Sequence, residues 1–430
     1  MQKTNDPTLK SFIPVKPESH FPIQNLPYGA FVPADGSGEP HLCVAIGDFV
    51  LDLHALPREE YFQASNFNSM DFFSRPTLNE FMGMGRKAWT EARTAISRLL
   101  RYDNPNLRDN HALREKVLIP MDKVRMVMPV DIGDYTDFYS SREHATNVGT
   151  MFRGKEHALH PNWLHMPVAY HGRASSVVIS GTDLYRPCGQ MTDPETGLTV
   201  FGPSRMLDFE LEVGFFAGPG NSLGRPIPVD QAGDHIFGLA LVNDWSARDI
   251  QKWEYVPLGP FNSKNFGTSV SPWIVTLDAL EPFRTFGPEQ TAPAPLPYLQ
   301  STPSRPHTFD IRLDVTLKCA AFLTPERICR SNFKYLYWNM CQQLAHHTVT
   351  GCNIRPGDLL ASGTISGPGE TSSGSMLELS HGGSKPLRFP NGEERTFLED
   401  GDEVTMTGWC QGDGYRVGFG ETKGKILGIV

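Results

Sequence analysis

The stretch Asp208-Phe-Glu-Leu-Glu-Val-Gly-Phe-Phe216 reads as a buried β-strand with two carboxylates set into it. Side chains alternate across a strand with period two, so Glu210 and Glu212 share one face while Phe209, Leu211 and Val213 share the other. Two adjacent carboxylates on a covered face repel each other and lose hydration, so something positive has to compensate them. A divalent cation does so with the fewest parts. The alternative is an edge strand with a solvated acidic face. The apolar flanks weigh against it without deciding the matter.

The chain has 430 residues, more than a single ordinary core, which predicts one large and one smaller domain. Hydrophobic residues at 39% and charged residues at 20% are a globular composition. The 39 basic and 48 acidic residues leave a net charge of −9, which argues against nucleic acid and anionic membrane as partners. Cys43, Cys188, Cys319, Cys329, Cys341, Cys352 and Cys410 are scattered and odd in number, with no C-x-x-C, so neither a disulfide framework nor a zinc site is expected. The start Met-Gln-Lys-Thr-Asn-Asp-Pro is too polar for a signal peptide, and no apolar run reaches the roughly 18 residues of a membrane span. A reducing, cytoplasmic setting is the expectation.

Short strand-like runs at Phe31-Val32, His41–Ile46 and Phe49–Leu53, separated by turn residues, suggest a small N-terminal β unit. Thr77-Leu-Asn-Glu80 reads as a capping box before a helix carrying Ala88, Trp89, Ala92, Ile96 and Leu99. A second helix is expected from an N-cap at Ser331, with Phe333, Leu336, Tyr337, Met340, Cys341 and Leu344 on one face and Gly351 beyond its end. The polar stretch Tyr102–Lys116 suggests a boundary, giving domains 1–118 and 119–430. Beyond it, strand-like runs alternate with long Gly/Pro loops at Pro187–Pro203 and Glu281–Pro306, lengths that point to a functional or interface role.

Further acids join the first two. Asp244 ends the apolar run Ile236–Trp245, and Arg248 and Gln251, three apart, fall on one side of a helix that could begin at Ser246. An ordinary N-cap is the plainer role for Asp244. Asp137 and Tyr139 alternate with apolar positions in Ile132–Tyr139. Asp137, Glu210, Glu212 and Asp244 would make an oxygen-only set, which selects Mg²⁺ or Ca²⁺ over zinc or copper. His144 could serve as a base near neutral pH, although a lone histidine is more often structural. The pair His346-His347 reads as packing and capping. Ser140 and Ser141 lack a G-x-S-x-G elbow, so a serine hydrolase is a weak reading. Gly363-Thr-Ile-Ser-Gly367 is either a plain turn or a tight loop offering N–H groups to an anion. Lys264 is a surface lysine unless the acids lie beside it.

Several long motifs carry a resemblance. They are Tyr135-Thr-Asp-Phe-Tyr-Ser-Ser-Arg-Glu-His144, Met151-Phe-Arg-Gly-Lys155, Tyr170-His-Gly-Arg-Ala-Ser175, Leu207–Glu212, Asn243–Tyr255, Leu359–Ser366 and Gly412–Gly420. Together they resemble the fumarylacetoacetase family over essentially the whole chain. The resemblance implies a mainly β fold with a few helices: an N-terminal SH3-like β-barrel and a C-terminal β-sandwich or roll of the fumarylacetoacetase type, assembled as a homodimer. It implies hydrolysis of the C–C bond of 4-fumarylacetoacetate, a diketo acid, to fumarate and acetoacetate, the last step of tyrosine and phenylalanine breakdown. The implied metal ligands fall on Asp137, Glu210, Glu212 and Asp244, with Lys264 and Thr268 nearby. His144 falls on the base and Glu378 on its support. Tyr139, Arg153, Tyr170, Arg248, Gln251, Tyr255 and Thr364 fall on substrate-contacting positions.

On that basis His144 would activate water. The cation would bind the diketone and stabilise the enolate leaving group, and Arg248, Gln251 and Lys264 would face the developing negative charge. Arg153 suits a carboxylate because its fork binds bidentately. Two alternatives remain open: decarboxylation, hydration or isomerisation of another oxo acid, and a non-catalytic metal-binding or assembly protein with a degenerate site.

Overall fold

The computed structural model describes residues 3–57, 72–302, 304–322 and 324–429. Met1 and Gln2, on which the reading of a polar start partly rests, lie outside them. The expected N-terminal β unit is a five-stranded antiparallel sheet in the order Leu118–Pro120, Phe49–Asp52, His41–Ile46, Tyr28–Pro33, Val124–Val127. Of these strands, Leu118–Pro120 straddles the boundary expected at 118 and Val124–Val127 lies beyond it.

The helix Arg86–Leu100 buries Trp89, Ala92, Ile96 and Leu99, with the Trp89 ring set edge-on against Phe237 at 5.2 Å. The expected capping box at Thr77–Glu80 does not form. The short helix Asn79–Gly83 begins after a buried Leu78 already in helical conformation, and no side chain caps it. The Glu80 carboxylate pairs with Arg75 at 3.2 Å instead of turning back to the backbone.

The acidic strand is central, not at an edge. Leu211–Ala217 lies between Ile236–Asp244 and Leu359–Ala361 in a mixed eight-stranded sheet, with Tyr135–Phe138 and Ala169–Gly172 beyond on one side and Thr268–Val270 on the other. Every residue of Leu211–Ala217 and Ile236–Asp244 is buried, which disposes of the solvated-face alternative. On one face Leu211, Val213, Phe215, Leu239 and Leu241 form a core with Leu313, Val315, Met406, Val417 and Phe419 of a second, five-stranded sheet. On the other face Phe216, Ala240 and Val242 join the core of the N-terminal unit, with Tyr28, Leu42 and Phe81. Glu212 stands on that same face, because it shares the parity of Phe216. The sheet is thus covered on both sides, and its carboxylates sit where the apolar packing ends.

The second expected helix is shorter and starts later. Ser331 is in the strand Glu326–Asn332, whose backbone is paired with Arg312–Lys318, so it has no orphan N–H groups to cap. The helix Met340–Thr348 begins at Asn339, whose side chain accepts from Cys341 and Gln342 N–H while Gln342 returns the bond, a full capping box. The long stretch Pro187–Pro203 folds back as the hairpin Cys188–Thr192 and Thr199–Pro203. All seven cysteines are free. Among the described residues no helix is long and apolar enough to cross a membrane.

Candidate metal centre and its histidine pair

Sheet register brings three of the acids together, and Glu210 joins them from the residue just before the strand Leu211–Ala217. Asp244 ends its strand opposite Thr268, and Asp137 lies opposite Ala361, which in turn lies opposite Gly214, two residues from Glu212. One carboxylate oxygen each from Asp137, Glu210, Glu212 and Asp244 falls within 4.8 Å of the others, and all four residues are buried.

The four are not equivalent. Glu210 is paired with Arg248 Nη2 at 2.6 Å and with Lys264 Nζ. Burial alone would raise its carboxyl, but Arg248 and Lys264, with His144 adding, hold it down to about 2. Asp244 accepts from Tyr170 Oη at 2.7 Å, Lys264 Nζ at 2.7 Å and Thr268 Oγ1 at 2.7 Å. Glu212 accepts the Gly363 N–H at 3.0 Å on Oε2, and its Oε1 is buried with no partner, as is Asp137 Oδ1. Burial pushes the Glu212 and Asp137 carboxyls well above the usual range, and neighbouring carboxylates add to both: Asp137, Asp244 and Glu210 at Glu212, Asp244 and Glu210 at Asp137. Two enclosed, unpaired oxygens within an oxygen-only set are a place for a hard cation. The residues fit a divalent metal.

Lys264 is accordingly a buried residue held between Glu210 and Asp244. Arg248 donates from Nε to Asp208 at 2.8 Å and from Nη1 to Gln251 Oε1 at 3.1 Å. The second bond leaves the Gln251 NH₂ as the free end of that amide. Asp208 is fixed by the Met376 and Leu377 N–H groups at 2.6 and 3.0 Å. Sequence reasoning passed over Asp208 as a structural partner, although it stands in the opening motif.

His144 lies in the first turn of the helix Arg142–Arg153, which Ser141 caps by accepting from the His144 N–H. Its Nδ1 meets Glu378 Oε2 at 2.7 Å. The same oxygen accepts from Ser366 Oγ at 2.8 Å and Ser375 Oγ at 2.9 Å, while Oε1 accepts from Asn147 Nδ2 at 2.9 Å. Burial would raise Glu378, but the His144 contact and these donors outweigh it and bring its carboxyl below the ordinary value. An ionised Glu378 requires the proton on Nδ1, so Nε2 is the nitrogen left to accept. The Tyr139 ring stands edge-on to the imidazole at 5.3 Å. Asn147, Ser366 and Ser375 were not legible as partners of Glu378, since only the fold brings them together.

The remaining positions are placed as follows. Arg153 donates to the carbonyls of His157 and Ala158 at 3.1 and 2.7 Å, so two of its directions are taken. Tyr255 caps the helix Arg248–Glu254, and Thr364 is buried one residue past Gly363. The loop Gly363–Gly367 does offer an N–H to an anion, and that anion is Glu212. His346 and His347 bond to Tyr298 and Thr136, both at 3.0 Å, as packing residues.

A covered carboxylate cluster that fits a divalent cation, with a carboxylate-bound histidine nearby, is a site suited to a hydrolase. Two family models match the chain: "Fumarylacetoacetase N-terminal" over residues 24–129 and "Fumarylacetoacetate (FAA) hydrolase C-terminal" over residues 134–426. The chain belongs to the fumarylacetoacetase family. It is 58% identical to the fumarylacetoacetase of Homo sapiens over 418 residues, which is 97% of this chain and 98% of that one. It is 58% identical to the Arabidopsis thaliana fumarylacetoacetase over 419 residues, with the same coverage. Among solved structures, a fumarylacetoacetate hydrolase from psychrophilic Exiguobacterium antarcticum shares the fold, with a TM-score of 0.51 at 16% identity, covering 94% of this chain and 99% of that one.

Proposed function

We propose that this chain is a hydrolase that cleaves the C–C bond of 4-fumarylacetoacetate to fumarate and acetoacetate, the last step of tyrosine and phenylalanine breakdown. The observation that carries the reading is the His144–Glu378 contact, buried and 2.7 Å long, beside four convergent acids. A structural ion has no use for an oriented base. The relatives' identity over nearly the full chain supports the choice of substrate.

His144 Nε2 takes a proton from water, and Glu378 holds the ring and stabilises the imidazolium. The new C–O bond forms at the ketone next to the double bond. The adjacent C–C bond then breaks with its electron pair on the acetoacetyl carbon, which takes up a proton to become a methyl group. Lys264 and the free NH₂ of Gln251, aimed by Arg248, face the negative charge that develops; one such donor is typically worth about 3–4 kcal/mol. Tyr139, Arg153, Tyr170, Tyr255 and Thr364 are the substrate-binding set in this reading. A divalent cation on Asp137, Glu210, Glu212 and Asp244 supplies Lewis-acid withdrawal of charge from the diketone. Mg²⁺ and Ca²⁺ both suit an oxygen-only set. We also assign a homodimer and a cytoplasmic location, which rest on the family and on the free thiols respectively.

The test is turnover of fumarylacetoacetate by purified protein, with and without chelator and with oxaloacetate in parallel. Cleavage confined to the first substrate and lost on chelation is the expected result. His144→Ala should abolish turnover with cation content unchanged; loss of the cation would make His144 a ligand instead.

A further inference from the structure

The helix Arg142–Arg153 carries His144 and Asn147 three residues apart, a spacing that puts both on one side of a helix. They grip the two oxygens of one carboxylate: His144 Nδ1 lies 2.7 Å from Glu378 Oε2, and Asn147 Nδ2 donates to Oε1 at 2.9 Å. Ser366 and Ser375 both donate to Oε2. Among the described residues, the hydrogen bond to Oε1 is Asn147's. A carboxylate held at one oxygen alone can still turn about its terminal bond, and the donor on the other oxygen stops that turn.

Beyond Asn147 lies an open cleft of about 720 Å³, lined by Glu143, Asn147, Thr150, Gly369, His381 and Lys385, with Glu378 bordering it from within. Asn is a poorer helix former than Ala by a few tenths of a kcal/mol, because its amide competes for local backbone bonds. Here the amide instead turns inward to an ionised partner, where a charge-assisted bond is strong.

We propose that Asn147 is a positioning residue of the water-activating pair, fixing the plane of Glu378 against His144 and separating that carboxylate from the solvent of the cleft. The inference rests on His144 being the base. With Asn147 gone, cleft water reaches Oε1, the carboxylate turns, and the imidazole loses its fixed orientation. Arg142, Glu143, Glu370, His381 and Lys385 line the cleft outside the pair, while Glu210 acts on His144 and the Cys329 thiol on Glu378 from within.

Asn147→Ala and Asn147→Asp, compared with the wild type, provide the test. For Asn147→Ala, kcat should fall about tenfold, the equivalent of one charge-assisted hydrogen bond, with KM and cation content little changed. The Glu378 carboxylate loses more from the missing donor when it faces neutral imidazole than when it faces imidazolium, so the acid limb of the pH profile should move up by about half a unit. Asn147→Asp should repel Glu378 at neutral pH, yet donate an O–H once protonated, so its activity relative to the wild type should climb as pH falls. An unchanged kcat and pH profile in Asn147→Ala overturns the proposal. So does a loss of kcat that tracks a lowered melting temperature with the acid limb unmoved. The wild type, assayed alongside, reports separately on whether the activity itself was assigned correctly.

Discussion

The Gly363 N–H donates to Glu212 Oε2 at 3.0 Å, so the loop after the strand Leu359–Ala361 steadies one oxygen of the carboxylate whose other oxygen is left for a cation. Gly363 has φ +78, and a Cβ there would come within 2.1 Å of the Phe138 carbonyl oxygen. Gly363→Ala should therefore displace the loop. Conformational strain alone costs about 1–3 kcal/mol. The expected outcome is a lower melting temperature together with weaker cation binding in calorimetry, since the same N–H orients a ligand.

Glu212 and Asp137 carry the unpaired oxygens, and burial among like charges raises both carboxyls. Without a cation this cluster strains the fold; with one, it stabilises the fold. Adding Mg²⁺ or Ca²⁺ to chelator-treated wild type should raise its melting temperature, by about 2.7 kcal/mol of stability at a hundredfold excess over Kd. Glu212→Gln should lose most of that response. Its cation-free form should be no less stable than the wild type's, because a neutral amide removes one like charge from the cluster. An unchanged cation response in Glu212→Gln would remove Glu212 from the ligand set.

The parity of Glu210 and Glu212, read from alternation alone, correctly put two acids on one covered face. Strand location and the oxygen-only set were legible because a strand fixes side-chain direction locally. What was not legible depended on contacts distant in sequence. Asn147 and Ser366 meet Glu378 across 231 and 12 residues, and Asp208 meets the N–H groups of residues 376 and 377. Lys264 shows the limit well: nothing in Asn262–Thr268 marks it as buried, and only the acids around it do. The helix starts failed differently: the helix after Thr77 takes Leu78 as its uncapped first position, and Ser331 lies in a paired strand with no orphan N–H groups to serve.

That distinction is measurable at the second helix. Asn339 makes the capping box for Met340–Thr348, whereas Ser331 Oγ is buried in a strand without a partner. Asn339→Ala should destabilise the protein by about 1–2 kcal/mol. Ser331→Ala removes an unsatisfied hydroxyl and should be neutral or stabilising. Urea denaturation of the two variants compares them directly, and a larger cost at Ser331 would restore it as a structural anchor.

Acid sensitivity should trace in part to His20. Burial lowers its imidazole from an ordinary 6.5 to about 4, with the Arg416 charge adding, and Nδ1 accepts the Gly420 N–H at 3.2 Å. The ring is therefore neutral in the fold, where it also packs beside Trp409 at 6.3 Å. An unfolded chain takes up a proton on this group as pH drops below about 6.5, and the folded one does so only near 4. The contribution is thus fully present above 6.5 and is lost as pH falls through that window, a loss of up to about 3 kcal/mol by linkage. His20→Asn keeps an acceptor for the Gly420 N–H and cannot titrate. It should lower stability at pH 7.5 through lost packing, yet show a shallower decline between pH 6.5 and 4.5 than the wild type. Parallel slopes for the two proteins in urea titrations across that range would mean that His20 is already protonated in the fold.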